Sequence, residues 1–326
     1  LVRTSTDGIN WTEHQDTVPW TASSPSDMNY YEKGHGAQNM WTLWSSSVFD
    51  GTRFVAVSND SYYGSPAVVN STDGINWTQV SPNGYVGDPA HGIPWRPNST
   101  SLYLYSDDSV PGGNIGDFTG SGYYRWNNMA TDGEGTLVAC GRWQWADFTT
   151  PDWDGDYVGL STNHGATWTY VRTPFKALWD KIEYGNGTFV IVGRQTTDLV
   201  GGRPSLSSVT NPVAVRSTDG GVTWTEATLP ANTTPSYYTY GIAYGDGQWA
   251  ICRSGAYNEP GRILVSTDGA KTFNDTLTDP VYNPYTPGNE EVYCSDVQYF
   301  NNRFIAIWRG ATFTQNALQV SASVIN

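Results

Sequence analysis

The most constraining feature of this chain is a short segment, Ser217-Thr218-Asp219-Gly220-Gly221-Val222-Thr223-Trp224, that returns four more times. The other copies are Ser5 to Trp11, Ser71 to Trp77, Ser161 to Trp168 and Ser266 to Phe273. Each follows an apolar run (Leu1-Val2, Val68-Val69, Val158 to Leu160, Val213 to Val215, Ile263 to Val265) and leads into a Trp-Thr-like strand start. That context predicts a tight hairpin turn between two strands in every copy. In such a turn, Ser and Asp oxygens satisfy N–H groups that no strand partner reaches, and Gly supplies positive φ while the aromatic ring caps the apolar layer. Asp7, Asp73, Asn163, Asp219 and Asp268, with Trp11, Trp77, Trp168, Trp224 and Phe273, are therefore expected to be folding devices.

A second element alternates with the first: an apolar strand, a Gly or Asn turn and another apolar strand. Its copies are Ser47 to Val57, Met129 to Cys140, Ile182 to Val192, Ile242 to Cys252 and Val297 to Ile307. Naming these inner strands A and B and the outer pair C and D, the order is C-D over 1–13, then A-B-C-D over about 41–80, 124–172, 178–228 and 238–275, then A-B-C over 293–321. Self-similarity at such a period signals a repeat architecture. The turn motif resembles the Asp-box, or BNR, repeat of the sialidase-like β-propellers at all five positions. Asn163-His164 replaces Asp-Gly in the third copy, and Phe273 replaces Trp in the fifth. The resemblance implies an all-β fold, a β-propeller of five or six four-stranded antiparallel blades, with seven a remoter count. It also implies that the Asp boxes sit on the face away from any ligand site. It implies little about function, because the repeat also occurs in propellers without enzymatic activity.

Residues 1–326 are expected to form one propeller domain, part of a longer or processed polypeptide, since the chain opens on Leu1 within a motif copy. Two insertions interrupt the spacing, 81–121 with an extra strand at Leu102 to Tyr105, and the Gly/Ser/Pro-rich stretch 195–212. With residues 14–40 they are expected on the side opposite the Asp boxes, where a rigid scaffold carries binding loops.

Composition narrows the partners. A net charge of −14 with only four lysines argues against nucleic acid, polyanions and anionic membranes. No apolar run is long enough to insert in a membrane. Cys140, Cys252 and Cys294 lack zinc-type spacing, and buried free thiols are the favoured reading, with a Cys252–Cys294 bridge as the alternative. Asn-x-Ser/Thr sequons at Asn10, Asn70, Asn76, Asn98, Asn186, Asn232 and Asn274 occur at about the density such a composition produces by chance. The texture resembles propellers of bacteriophage tail and capsid-decoration proteins and of secreted surface proteins, which implies an extracellular or virion-surface location.

Aligning the inner hairpins on their turns places Arg142, Arg194 and Arg309 at one exit position, with Arg253 one residue earlier. Guanidinium forks bind carboxylate or phosphate, so four of them would recognise an anion; the alternative is that each pairs with a neighbouring acid and ties blades together. The same alignment puts Ser45, Asn128, Asp180, Tyr240 and Ser295 at the start of strand A. Asp180, Glu183 and Tyr240 are the catalytic candidates, because sialidases hold a substrate carboxylate with an arginine triad and use a Tyr/Glu pair with an Asp. The departures are that the family's Arg-Ile-Pro segment is missing, Gly92 preceding Ile93-Pro94, and that no Tyr–Glu pair can be assigned. Trp143, Trp145 and Trp153 lie in aromatic, acidic loops suited to stacking on sugar rings. Asp152, Asp154 and Asp156 alternate as in a calcium loop, but the Gly follows the wrong Asp; no cofactor is expected, and calcium there is the lesser alternative to a solvated acidic loop. Two function classes result: a non-catalytic recognition or structural propeller contacting glycan, a host-surface receptor or other subunits, homo-oligomers included, and a secreted sialidase-like glycoside hydrolase.

Overall fold

The computed structural model describes residues 2–14, 44–58, 68–79, 122–145, 155–196, 199–200, 203–204, 210–230, 239–253, 262–278, 292–310 and 319–321. Nearly all of 14–40, and all of the 81–121 insertion with its expected strand, lie outside them. The described residues form strands and turns, with no helix among them. Two compact units divide the chain: Leu1–Pro151 with Val158–Tyr170, and Asp152–Tyr157 with Val171–Asn326.

The first unit opens on a two-stranded hairpin, β1 (Val2–Thr4) and β2 (Thr12–His14). A four-stranded antiparallel meander follows, β3 (Trp44–Phe49), β4 (Phe54–Ser58), β5 (Val68–Ser71) and β6 (Thr78–Gln79). The next sheet begins with β7 (Gly122–Thr131), β8 (Leu137–Trp145) and β9 (Gly155–Ser161). Its fourth strand is the start of the long β10 (Thr169–Gly185), which then serves as the inner strand of the following meander. That meander continues through β11 (Thr188–Thr196), a small hairpin of β12 (Leu199–Val200) and β13 (Arg203–Pro204), then β14 (Thr210–Ser217) and β15 (Thr225–Ala227). The second unit adds β16 (Thr239–Gly245), β17 (Gln248–Arg253), β18 (Arg262–Ser266) and β19 (Asn274–Thr278), and finally the three-stranded β20 (Val292–Phe300), β21 (Arg303–Gly310) and β22 (Gln319–Ser321). The stretch 195–212 is thus less irregular than its composition suggests, because β11 and β14 pair as far as Thr196 and Thr210.

Within each unit, successive meanders pack face on face, the arrangement of β-propeller blades. Val55, Val57 and Val68 meet Trp126, Met129, Leu137 and Ala139 in the first unit. In the second, Val190, Val192 and Ala214 meet Ile242, Trp249, Ile251 and Leu264, while the other face of that sheet, Ala243, Ala250 and Val265, meets Val297, Phe304 and Ala306. An inner strand covered on both faces cannot alternate apolar with polar, and β17, which lies between those two clusters, is buried without a break from Trp249 to Arg253.

Two devices recur along the inner hairpins. Three of them close on two-residue turns with both residues left-handed, Asn186-Gly187 (φ 47° and 75°), Asp246-Gly247 (49° and 75°) and Asn301-Asn302 (50° and 60°), the conformation that matches the strands' twist. Flanking each turn, Tyr184 meets Phe189, Tyr244 meets Trp249 and Tyr299 meets Phe304 in tilted or edge-on ring contacts. Gly185 and Gly245 lie directly under the rings of Tyr244 and Tyr299 from the next sheet, so a Cβ at either glycine would overlap the ring.

All five inner strands also carry a register shift, between Trp44 and Ser46, Trp126 and Asn128, Trp179 and Lys181, Thr239 and Gly241, and Cys294 and Asp296. Ser45, Asp180, Tyr240 and Ser295 are the extra residues of these bulges, and Asn127, not Asn128, is the fifth. They are not strand starts as the turn alignment suggests: β7, β10 and β20 run on past them, because a bulge interrupts pairing without ending it. The shift brings inner strands of adjacent sheets together. Ser45 Oγ donates to Trp126 O at 2.7 Å, and Ser46 Oγ accepts the Met129 N–H at 3.1 Å. In the second unit Gly241 approaches the Val297 backbone so closely that a Cβ would lie 2.7 Å from its nitrogen.

The cysteine expectation is corrected here. Cys252 and Cys294 form a disulfide between adjacent sheets, while Cys140 is buried and takes no part in a disulfide. Cys294 immediately precedes its bulge, the place held by the buried Trp126 and Trp179 in two other sheets, so a covalent link stands where those sheets use an indole. Spacing could not reveal it, because pairing depends on which strands become neighbours.

The Asp boxes make the turn hydrogen bonds expected of them. Ser217 Oγ donates to Asp219 Oδ1 and accepts the Gly221 N–H, Asp219 takes the Thr223 N–H and hydroxyl, and the Trp224 indole donates to Gly221 O at 3.0 Å. Two classes emerge that the motif alignment merged. The copies at Ser161, Ser217 and Ser266 contain one more residue, place two successive residues at positive φ, and bury Trp168, Trp224 and Phe273. The identical octapeptides from Ser5 and Ser71 use one left-handed glycine, and Trp11 remains 60% exposed instead of capping a core. The third copy departs from Asp-Gly with a role for the change: His164, at φ 60°, brings its Nδ1 to 3.0 Å from the buried Asp50 carboxylate on the β3–β4 turn.

Two predictions arise from this packing. Ile191, fully buried, should cost about 2–5 kcal/mol when cut to Ala, read from denaturant midpoints, whereas a negligible change would contradict its burial in the core. Hydrogen bonds from Thr223, Ser217 and Val222 outweigh partial desolvation and hold the Asp219 pKa at about 2, below its ordinary 3.8. Folding therefore favours the charged form; that contribution is complete above about pH 4 and is lost as pH falls towards 2. Asp219→Ala should lower stability by about 1–3 kcal/mol at neutral pH, and the gap to wild type should narrow in acid.

Candidate functional site

The candidate arginines lie beyond the bulges of the inner hairpins, where register places each one on its own strand. Counting from each bulge, Arg142 lies opposite Arg125, Arg194 opposite Leu178 and Arg309 opposite Tyr293, one equivalent register position in three hairpins. Arg253, opposite Thr239, is one position nearer the bulge. A one-residue offset turns a side chain to the other face of a sheet. Arg253 is accordingly buried, while Arg194 is half-buried. For Arg142, Arg309, Trp143, Trp145, Tyr240 and Asp156 the backbone is placed and the side chains lie outside the described residues, as do Asp152, Trp153 and Asp154 altogether. Among the described residues, no cluster of three or more His, Cys, Asp or Glu groups could hold a metal ion.

The two described catalytic candidates occupy different settings. Asp180 is the bulge residue of β10, half-buried, directly before Lys181. Glu183 lies deeper in the strand, opposite Val190 and on its face, where Val190 and Val192 pack against Ile242, Trp249 and Ile251. Burial raises the Glu183 pKa above the ordinary carboxylate range, although its Oε1 accepts the Tyr184 N–H at 2.9 Å. A carboxyl kept neutral in this way can donate a proton, yet this one faces the neighbouring sheet. The turn alignment could place these residues in a strand; it could not separate exit-facing from sheet-facing groups, because the bulge resets the alternation.

At the opposite ends, polar side chains tie sheets together. The Arg216 guanidinium donates to Gly269 O in the Asp box of the next sheet, whose Phe273 N–H bonds to Thr228 O.

No protein-family model matches the chain, and no curated protein sequence matches it. Solved structures similar to it include YCF48 from Cyanidioschyzon merolae, at 8% identity over 88% of this chain and 72% of that one, with a TM-score of 0.45. YCF48 bound to D1 peptide is 10% identical, the match covering 82% of this chain but only 61% of that one, with a TM-score of 0.42. A mutant of Trypanosoma rangeli sialidase displaying trans-sialidase activity is 13% identical over 82% of this chain and 43% of that one, with a TM-score of 0.45.

Glu183 yields a direct measurement. Because burial favours its neutral form, its contribution to stability is present below the ordinary pKa of 4.5 and is lost as pH rises. Glu183→Gln should therefore raise the neutral-pH denaturant midpoint relative to wild type, with the difference vanishing below about pH 4. A variant less stable than wild type at pH 7 would show that the ionised carboxylate is required.

Proposed function

We propose that this chain is a non-catalytic recognition propeller of the sialidase-like type that binds a glycan or a protein partner at the exit ends of its inner hairpins. The observation that carries the reading is the register equivalence of Arg142, Arg194 and Arg309, repeated beyond a bulge in three hairpins of a chain with net charge −14. Basic residues at one repeated position in an otherwise acidic protein suit a carboxylate, sulfate or phosphate on the partner, since guanidinium makes bidentate, charge-assisted bonds. The placement of Glu183 against a neighbouring sheet supports recognition over hydrolysis. The Cys252–Cys294 disulfide suits an oxidising location, so display on a virion or cell surface is part of the proposal. Calcium at Asp152, Asp154 and Asp156 is not needed for it.

The test combines a glycan array and a fluorogenic glycoside panel with Arg194→Ala at two ionic strengths. The expected outcome is binding without turnover, weakened by about 1.5–3 kcal/mol in the variant and by added salt in wild type. Glycoside turnover abolished by Asp180→Asn would establish the hydrolase instead. Unchanged, salt-indifferent binding by a folded Arg194→Ala protein would remove the exit ends from recognition.

A further inference from the structure

We propose that Asn186 is a site of spontaneous covalent modification, losing its side-chain amide through attack by the backbone nitrogen of Gly187 and leaving aspartate or isoaspartate at the tip of the β10–β11 hairpin. The reaction consumes only water. The Gly187 nitrogen, giving up its proton to solvent, bonds to Asn186 Cγ as the Cγ–Nδ2 bond breaks and ammonia departs. Water then opens the resulting five-membered imide at either carbonyl. Breaking the bond between Gly187 nitrogen and Cγ restores a normal backbone as aspartate; breaking the bond to the Asn186 main-chain carbonyl leaves the chain running through the side chain as isoaspartate.

The structure sets this residue apart from Asn10, Asn76, Asn163, Asn211 and Asn301. Asn186 is exposed, Gly187 has no side chain to shield its nitrogen, and apart from its two chain neighbours no residue comes within 4 Å of where a Cβ on Gly187 would stand. Elsewhere the amide or the following residue works against the reaction. The Asn10 and Asn76 amides donate to Asp7 and Asp73 at 2.7 and 2.8 Å, and both precede tryptophan. Asn163 is held by Ser161 and Thr167 and precedes His164. Asn211 precedes Pro212, which has no N–H to lose. Asn301, in the equivalent turn, precedes Asn302, whose side chain crowds the attacking nitrogen.

The repeat also shows what each product would do. Asp246-Gly247 occupies the equivalent turn with nearly the same φ, 49° against 47°, so aspartate fits this turn. Isoaspartate inserts an extra backbone carbon between Gly185 and Thr188, whose pairing closes the hairpin. Gly185 seats the Tyr244 ring of the next sheet, so lengthening this turn disturbs packing between sheets as well as the turn.

The experiment ages the intact protein in mildly alkaline buffer and follows each asparagine-containing peptide by mass spectrometry, with enzymatic isoaspartate detection and thermal melts on the same samples. The peptide spanning Asn186 should convert from amide to acid ahead of those holding Asn10, Asn76, Asn163 and Asn301. Isoaspartate should accumulate there, and a lower-melting population should grow with it. Asn186→Asp, folded like fresh wild type, should release no ammonia from this peptide and develop the low-melting fraction much more slowly. Retention of the Asn186 amide over the time in which a free Tyr184–Phe189 peptide converts fully would overturn the assignment, as would earlier conversion at Asn10 or Asn76. A converted protein that melts as sharply as Asn186→Asp would overturn the link to packing between sheets.

Discussion

The structure depends on packing inner hairpins against one another, and the β16–β17 hairpin shows it on both faces: Ile242, Trp249 and Ile251 meet Val190 and Val192, while Ala243 and Ala250 meet Val297 and Phe304. A four-stranded meander with one solvated face would alternate polar and apolar residues, but Phe189 to Val192 and Leu137 to Cys140 are buried in unbroken runs. Close approach of sheets at their inner strands then sets further requirements. Glycine is needed where a tyrosine ring or a backbone arrives, as at Gly185, Gly245 and Gly241. Each inner strand carries a bulge, and at that of β3 Ser45 and Ser46 bond to the main chain of Trp126 and Met129 in the neighbouring β7. The disulfide belongs to the same set of contacts, since Cys294 holds the place that Trp126 and Trp179 hold in other sheets.

This constraint separates scaffold from site. Asp boxes and inner-hairpin turns are consumed by internal hydrogen bonds: Asp73 takes the Ile75 and Asn76 N–H groups and the Asn76 amide, and Asp50 takes those of Thr52 and Arg53 as well as the His164 ring. Past the bulges, arginine recurs at one register position, as Arg142, Arg194 and Arg309. A recognition surface built there would be positioned by backbone register, which a rigid hairpin holds better than a loop. Glu183 marks the boundary, a carboxyl on the sheet-facing side of it whose charge folding disfavours.

Much of this was legible in the residues. The five turn motifs and five apolar hairpins announce their strands because their chemistry is local: Ser and Asp side chains bond to N–H groups two to four residues away, and Asn-Gly or Asp-Gly sets its own positive φ. The distinction between long and short Asp boxes was equally local and could have been read by counting from Ser to the aromatic ring. Other features were not legible. The Cys252–Cys294 link, the inter-sheet role of His164 and the exposure of Trp11 depend on which strands become neighbours. The bulges were hidden as well, since a pattern aligned on its turns keeps its count while the ladder skips a residue.

By itself, then, the sequence determined the strand order, the turns and the apolar hairpins, because side-chain-to-backbone bonds and short-range periodicity act within a few residues. Only the tertiary structure decided which cysteines pair, which indoles are covered and which of two adjacent positions, Arg253 or Arg194, is buried. Those outcomes depend on contacts between segments distant in the chain and on a one-residue shift that reverses the face a side chain occupies.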